Sequence, residues 1–345
     1  MSQLSYRPNG SRIYISLCAG NNWSRLDVKY DDGAVHIDCL AGNNGWASLD
    51  KIIFVPEDET LTYVAGGVGF QNGWVNFGGE YEGISYYKDD QGNVFLSGLA
   101  KNGTIAGTMF TLPVGFRPQS DLALFGCNCS SVYSRCDVYS VASAPAVPGD
   151  VYVCDGANGH YSLDGIRFPT SASWIAPSYQ NSWVNYSDSW GPPGYWKDGN
   201  GLVWLRGMVK NGGIAQSCFT LPVGYRPPKR ILLSAISNGH PLTRLDIETD
   251  GRVIPQAGYN GWFSLWGCCF YAASAQSNQI PYLKPNWVTY GPDPAYMKEE
   301  AKIRTNKLID IYGMVMNGTE PGDIFYLPEA ITDTTSILGM YQRVP

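Results

Sequence analysis

Asp27 and Asp50, Asp137 and Asp164, and a lone Asp246 stand at matched places in this chain of 345 residues. Paired carboxylates are the machinery of glycoside hydrolysis, where two of them flank one bond at about 5–9.5 Å and hold divergent pKa values. Asp246, however, has Trp266 where its partner should stand. Asp27, Asp137 and Asp246 also follow Arg25, Arg135 and Arg244 by two residues. Positions i and i+2 of a strand share a face, so an ion pair accounts for these aspartates without catalysis. The three histidines lie near no convincing Ser or Cys nucleophile, and no triad emerges. The expectation is no catalytic residue, and a protein that is not an enzyme.

Metal chemistry meets a similar objection. Cys127, Cys129, Cys136 and Cys154 cluster with His160 close behind, but a tetrahedral zinc site needs two spaced ligand pairs. Only Cys127/Cys129 is a pair, one residue short of the usual spacing, and Leu17/Ala19 and Ile236/Asn238 occupy the matching positions elsewhere. No metal and no cofactor are expected. The total of 9 cysteines is odd, so at least one cannot pair within the chain. Cys18 and Cys39 are placed to pair only in an oxidising medium. Adjacent Cys268 and Cys269 should face opposite sides of a strand.

What must position these residues is a cassette that passes three times through the chain. One half reads Gly73-Trp74-Val75-Asn76, Tyr86-Tyr87-Lys88, Gly98, Lys101-Asn102-Gly103 and Phe110-Thr111-Leu112-Pro113. It returns around Trp183, Tyr195, Gly207, Asn211-Gly212 and Phe219–Pro222, and again around Trp287, Tyr296, Gly313, Asn317-Gly318 and Phe325–Pro328. The other half starts at Arg7-Pro8, Arg117-Pro118 and Arg226-Pro227 and ends in Trp46-Ala47-Ser48-Leu49 or its relatives. The chain therefore opens on a second half and closes on a first half.

Period-two runs such as Val94–Ser97 and Val203–Arg206 follow Gly-bearing turns, and Asp31-Asp32-Gly33 and Asp250-Gly251 mark hairpins. The Asn-Gly pairs at 102, 211 and 317 read as hairpin turns too, and Met297–Lys302 alone has helical composition. The fold class is all-β: three pseudo-repeated antiparallel sandwiches of jelly-roll type, at residues 73–170, 182–272 and a composite of 1–56 with 286–345. Residues 57–72, 171–181 and 273–285 are linkers. A half sandwich cannot bury its apolar face alone, so the two ends should complete each other and close a pseudo-trimeric monomer.

Residue types kept in all copies are most cheaply assigned to the fold. Trp74, Trp183, Trp287, Trp46, Trp262, Tyr86, Tyr195 and Tyr296 fall in that class. Aromatics found in one copy are candidates for binding, because a flat ring with a polar edge suits pyranose stacking. Those candidates are Trp190 with its counterpart Tyr81, and Trp23 with its counterpart Tyr133, the latter two placed in a loop before the Arg-Leu-Asp strand. Trp174 lies in a linker. Trp190 sits in the loop Tyr186–Tyr195, stiffened by Pro192-Pro193, and is expected to be substantially exposed. Phe95 and Trp204 face away from Val94/Leu96 and Val203/Leu205, which points to packing between units.

Net charge of −6 with no Lys/Arg stripe argues against nucleic acid. MSQLSYRPNG lacks a basic segment followed by an apolar core, so no secretory signal is expected, and no apolar run reaches the ~18–20 residues of a membrane helix.

The combined motifs Gly73–Asn76, Tyr87–Asp89, Gly98–Ile105, Phe110–Pro118, Arg25–Val28 and Trp46–Asp50, with their counterparts from 182 to 265, resemble bacteriophage tail-fibre and receptor-binding modules. The resemblance implies a virion protein, assembled in the host cytoplasm, that associates with other virion proteins and contacts host cell-surface saccharide. The alternative is a non-adhesive virion component such as a capsid decoration, collar or tail-tip protein. Neither membrane insertion nor a nucleic-acid partner is expected, and higher assembly on the virion is compatible with both.

Overall fold

The computed structural model describes residues 60–272, apart from 120, 121, 131, 142 and 144. From the two ends it describes 4–5, 12–19, 22–31, 34–41, 46–50, 52–55, 282–283, 287–289, 300–303, 309–317, 322–328 and 330–331. Among these the architecture is all-β, with antiparallel pairing throughout and one short 3-10 turn at Asp188–Trp190. No described helix is long and apolar enough to cross a membrane.

Three large sheets share one strand order. The first runs Gly107–Thr111, Asp150–Val153, Val132–Tyr139, Leu122–Cys129, Tyr161–Ser162, Leu99–Lys101, Val75–Asn76. The second runs Phe219–Thr220, Arg252–Ala257, His240–Ile247, Ile231–Ser237, Phe263–Ser264, Met208–Lys210, Val184–Asn185. The third draws on both ends of the chain. Gly322–Pro328 pairs with Ala34–Ala41, and Met314–Met316 pairs with Ala47–Ser48. Its order continues that of the others, with Tyr282–Leu283 added at one edge. The ends thus complete one sheet, as their unpaired apolar faces require.

A smaller sheet accompanies each large one. In the first unit it joins Asn93–Ser97 to Ser85–Lys88 and Arg167–Pro169. In the second, Leu202–Arg206 lies between Gly194–Lys197 and Cys269–Tyr271. In the composite unit Ile309–Tyr312 lies between Glu300–Ile303 and Ile52–Phe54. Alternation decides what each face buries. Val94 and Leu96 enter the first unit's core with Leu124, Val138 and Phe110. Phe95, between them, turns the other way into a cluster with Trp204, Leu202, Ile53 and Val55, where all three units meet. Cys268 and Cys269 divide likewise, one in the second unit's core and the other in the central cluster.

Two local expectations are corrected. Asn102-Gly103 and Asn211-Gly212 are not hairpin turns, because Leu99–Lys101 and Gly107–Thr111 are not neighbours in their sheet. Each asparagine is left-handed, with φ of 69° and 68°, and each glycine lets an indole lie on its backbone. A Cβ on Gly103 would stand 2.0 Å from the Trp74 ring, and one on Gly212 2.0 Å from that of Trp183. Side-chain amides of Asn158 and Asn260 then clamp the Gly103 and Gly212 carbonyls, at 2.9 Å each. The second correction concerns Met297–Lys302. Its described part belongs to the strand Glu300–Ile303, because the sheet partner Ile309–Tyr312 outweighs weak helical propensity.

Candidate functional site

The matched aspartates are spent on structure. Asp137 is fully buried and accepts a forked pair from Arg135, Nε at 2.8 Å and Nη2 at 2.5 Å. Asp246 takes the same fork from Arg244, both bonds at 2.7 Å, and Arg230 joins it. Burial works to lower the Arg135 pKa, but the Asp137 hydrogen bond and charge win and raise it. Asp27 is buried in the equivalent strand, while the Arg25 side chain lies outside the described residues. Asp164 accepts Ser97 Oγ at 2.6 Å and Gly98 N–H at 2.8 Å. Asp50 accepts Gly313 N–H at 3.0 Å and Leu232 N–H at 2.8 Å, tying together three distant stretches of chain. Burial drives its pKa up to about 7 against the pull of those donors.

Cys127, Cys129 and Cys136 are buried, Cys154 is half-buried, and none of them is in a disulfide. Burial raises the thiol pKa of Cys129 and of Cys154. Among the described residues no group of three or more His, Cys, Asp and Glu converges as metal ligands would. The side chains of Cys18 and Cys39 lie outside the described residues.

The aromatic candidates are redistributed. The sequence predicts Trp190 at an exposed loop end. Instead it closes the turn Asp188–Trp190, capped by Ser187, and packs half-buried where the second unit meets the first. Arg135 of the first unit lies over its ring at 4.8 Å, Tyr186 meets it edge-on, and its carbonyl accepts Trp266 Nε1 at 3.1 Å. The reason is the neighbouring unit: the turn is short enough to dock on the strand Leu122–Cys129. The sequence predicts a loop at Tyr133. It lies in the strand Val132–Tyr139, buried, its ring filling the space above Gly126 on the partner strand. A tight turn at Ser130 puts residue 133 already in the ladder, and its diagonal neighbour has no side chain to fill that space. Trp23 is in the strand Asn22–Asp31, not a loop, and its side chain lies outside the described residues. Tyr81 is half-exposed and edge-on to Phe77 at 5.3 Å. Phe95 and Trp204 are buried against each other, centroids 6.4 Å apart.

Sequence reasoning missed the cleft that these contacts frame. An open hollow of about 400 Å³ is lined by Gln119, Ala172, Trp174, Asp188, Gly191, Pro192 and Arg206. It lies between the first unit, the linker and the second unit. Each polar wall residue is held in place. Gln119 Oε1 accepts Ala172 N–H at 2.9 Å and Trp174 Nε1 at 3.0 Å, which leaves its amide nitrogen as a donor. Arg206 donates through Nε to the Pro192 carbonyl at 3.1 Å, and its guanidinium covers Trp174 at 4.6 Å. Asp188 Oδ1 accepts Asn185 Nδ2 at 2.6 Å. Trp174 stands edge-on to Trp196 and Trp266. The signal was available by counting back from the glycines: Arg206 precedes Gly207, where Ser97 precedes Gly98 and Tyr312 precedes Gly313.

No family model matches this chain, and no curated protein or solved structure is matched to it either.

Proposed function

We propose that this chain is a virion structural protein acting as a receptor-binding module, and that its cleft at Trp174 and Arg206 takes host cell-surface saccharide. The observation that carries the reading is that the cleft walls are copy-specific. Trp174, Arg206 and the Asp188 turn have no like residues in the other two copies. Residues kept by the fold alone would recur. A polar wall pinned by its own hydrogen bonds also loses little freedom when a hydroxylated ligand docks. The matching strand orders of the three large sheets support reading them as copies of one module. A glycan array with the purified protein tests the proposal. Binding that is lost in Trp174→Ala is the expected result, and silence across the array would overturn it.

A second reading, a non-adhesive capsid-decoration, collar or tail-tip component, draws on one observation. Trp190 and Tyr133, the aromatics that first suggested adhesion, are engaged in packing.

A further inference from the structure

The hydrogen-bonding groups that the cleft leaves open define a class of sugar. We infer that it selects neutral saccharides through their ring hydroxyls, which donate to Asp188 and accept from the side-chain amide of Gln119. This rests on the saccharide reading above and narrows it.

Other polar groups of the lining are engaged within the chain. Trp174 Nε1 is spent on Gln119, and Arg206 is held by the Pro192 carbonyl and the Trp174 ring. Two side chains keep an open valence. Gln119 Oε1 accepts twice, so this residue has only the N–H groups of Nε2 to offer. Asp188 Oδ1 accepts Asn185 Nδ2 at 2.6 Å, which leaves Oδ2 as an acceptor.

Comparing two units shows how Asp188 is fixed. In the first, Asn76 Oδ1 accepts the Ile84 N–H at 2.9 Å. Pro193 stands two residues before Tyr195, as Ile84 stands before Tyr86. Proline has no N–H to donate, and Asn185 Oδ1 is buried with no partner among the described residues. An unpaired buried acceptor costs stability. What Asn185 retains is its hold on Asp188, beside Pro192 in the cleft wall.

These two open groups set the ligand's charge. A uronate brings acceptors and a negative charge, which the Asp188 carboxylate repels. An ammonium suits Asp188 but brings only donors, and leaves Gln119 Nε2 unmet. A hydroxyl both donates and accepts, so a neutral sugar satisfies both residues.

The experiment uses an array of glucose, galactose and mannose, each as the neutral sugar, the uronic acid and the 2-amino sugar. Calorimetry then follows the best-bound sugar and its two charged counterparts. The expected result is a neutral best ligand, bound at least about tenfold tighter than either counterpart. Gln119→Glu keeps an oxygen for Ala172 and Trp174 but removes the open donor, and should weaken neutral binding at least about tenfold. Asp188→Asn keeps an acceptor for Asn185 but removes the charge, and should narrow the gap between the neutral sugar and its uronate. Melting curves of both variants separate loss of binding from loss of fold. A uronate or amino sugar bound as tightly as its neutral parent overturns the inference and leaves the saccharide reading standing. So does neutral binding unchanged in folded Gln119→Glu, or an unchanged gap in folded Asp188→Asn. Silence for all the sugars, with a broader glycan array equally silent, overturns both.

Discussion

The second unit has two seams, and they share a backbone contact but fill it with opposite chemistry. Against the first unit, Ser264 Oγ donates to the Leu124 carbonyl at 2.8 Å. Against it from the composite unit, Ser48 Oγ donates to the Leu232 carbonyl at 3.0 Å. Two residues after each serine the seams diverge. Trp266 packs its indole on Phe125 and donates to the Trp190 carbonyl. Asp50 instead receives N–H groups from Leu232 and Gly313. One seam is sealed by apolar area and has no titrating group at that position. The other is sealed by a carboxylate enclosed on all sides, so its strength is tied to pH. The aromatic seam also brings Trp174 and Trp266 together, and the cleft opens beside them.

Removing the aromatic seal should have the largest effect. Trp266→Ala deletes the contacts with Phe125 and Trp174 and leaves the Trp190 carbonyl without its donor. A loss of about 3–5 kcal/mol is expected from chemical denaturation, as for other large-to-small changes in a core. A cost below about 1 kcal/mol would mean that the indole is not sealing this seam, and the contrast between seams would fail.

The carboxylate seam should be visible as a pH dependence. In the folded chain Asp50 holds its proton up to about 7, against an ordinary value of 3.8. Between those values the folded state binds a proton that the unfolded state has released, so stability falls as pH rises through that window and levels off above it. At roughly 1.4 kcal/mol per unit the fall is on the order of 4 kcal/mol. Burial also raises Asp137 and Asp198, which tilt the curve in the same direction. The diagnostic quantity is therefore the difference between the wild-type curve and that of Asp50→Asn, which should be flatter from pH 4 to 7. Two parallel curves would remove Asp50 as the source.

A smaller effect is expected away from both seams. Gly103→Ala pushes a methyl into the Trp74 ring without straining the backbone, and a cost of about 1–3 kcal/mol should appear in the melting of the first unit, with the pH dependence intact. Changed pH dependence would show that the units do not hold their seams independently.

These residues also mark what a linear reading can reach. Alternation disclosed the all-β class and the joined ends, because apolar burial is written every second residue of a strand. Asn102-Gly103 misled because its glycine answers to Trp74, a partner 29 positions earlier whose approach leaves no local mark. Trp190 misled for a related reason: Arg135 and the strand Leu122–Cys129 that cover it belong to a neighbouring unit. The cleft was hidden for longer still, since Gln119, Trp174 and Arg206 meet only after two units and a linker have assembled.

The smallest expected effect falls on Trp190 itself. Its contribution to the aromatic seam has a backbone part, the carbonyl that receives Trp266, and a ring part, the face under Arg135. Trp190→Phe leaves the carbonyl in place and keeps an aromatic face for the guanidinium. The loss should therefore stay near the ~0.5–1 kcal/mol of a partly exposed cation–π contact. Saccharide binding, read on the same array as Trp174→Ala, should be unchanged, because the Trp190 ring is not among the residues lining the cleft. If Trp190→Phe kept its stability yet lost binding, the ring would be a ligand platform. The aromatic seam would then be a recognition surface in its own right, and no longer the fixed wall against which the carboxylate seam is compared.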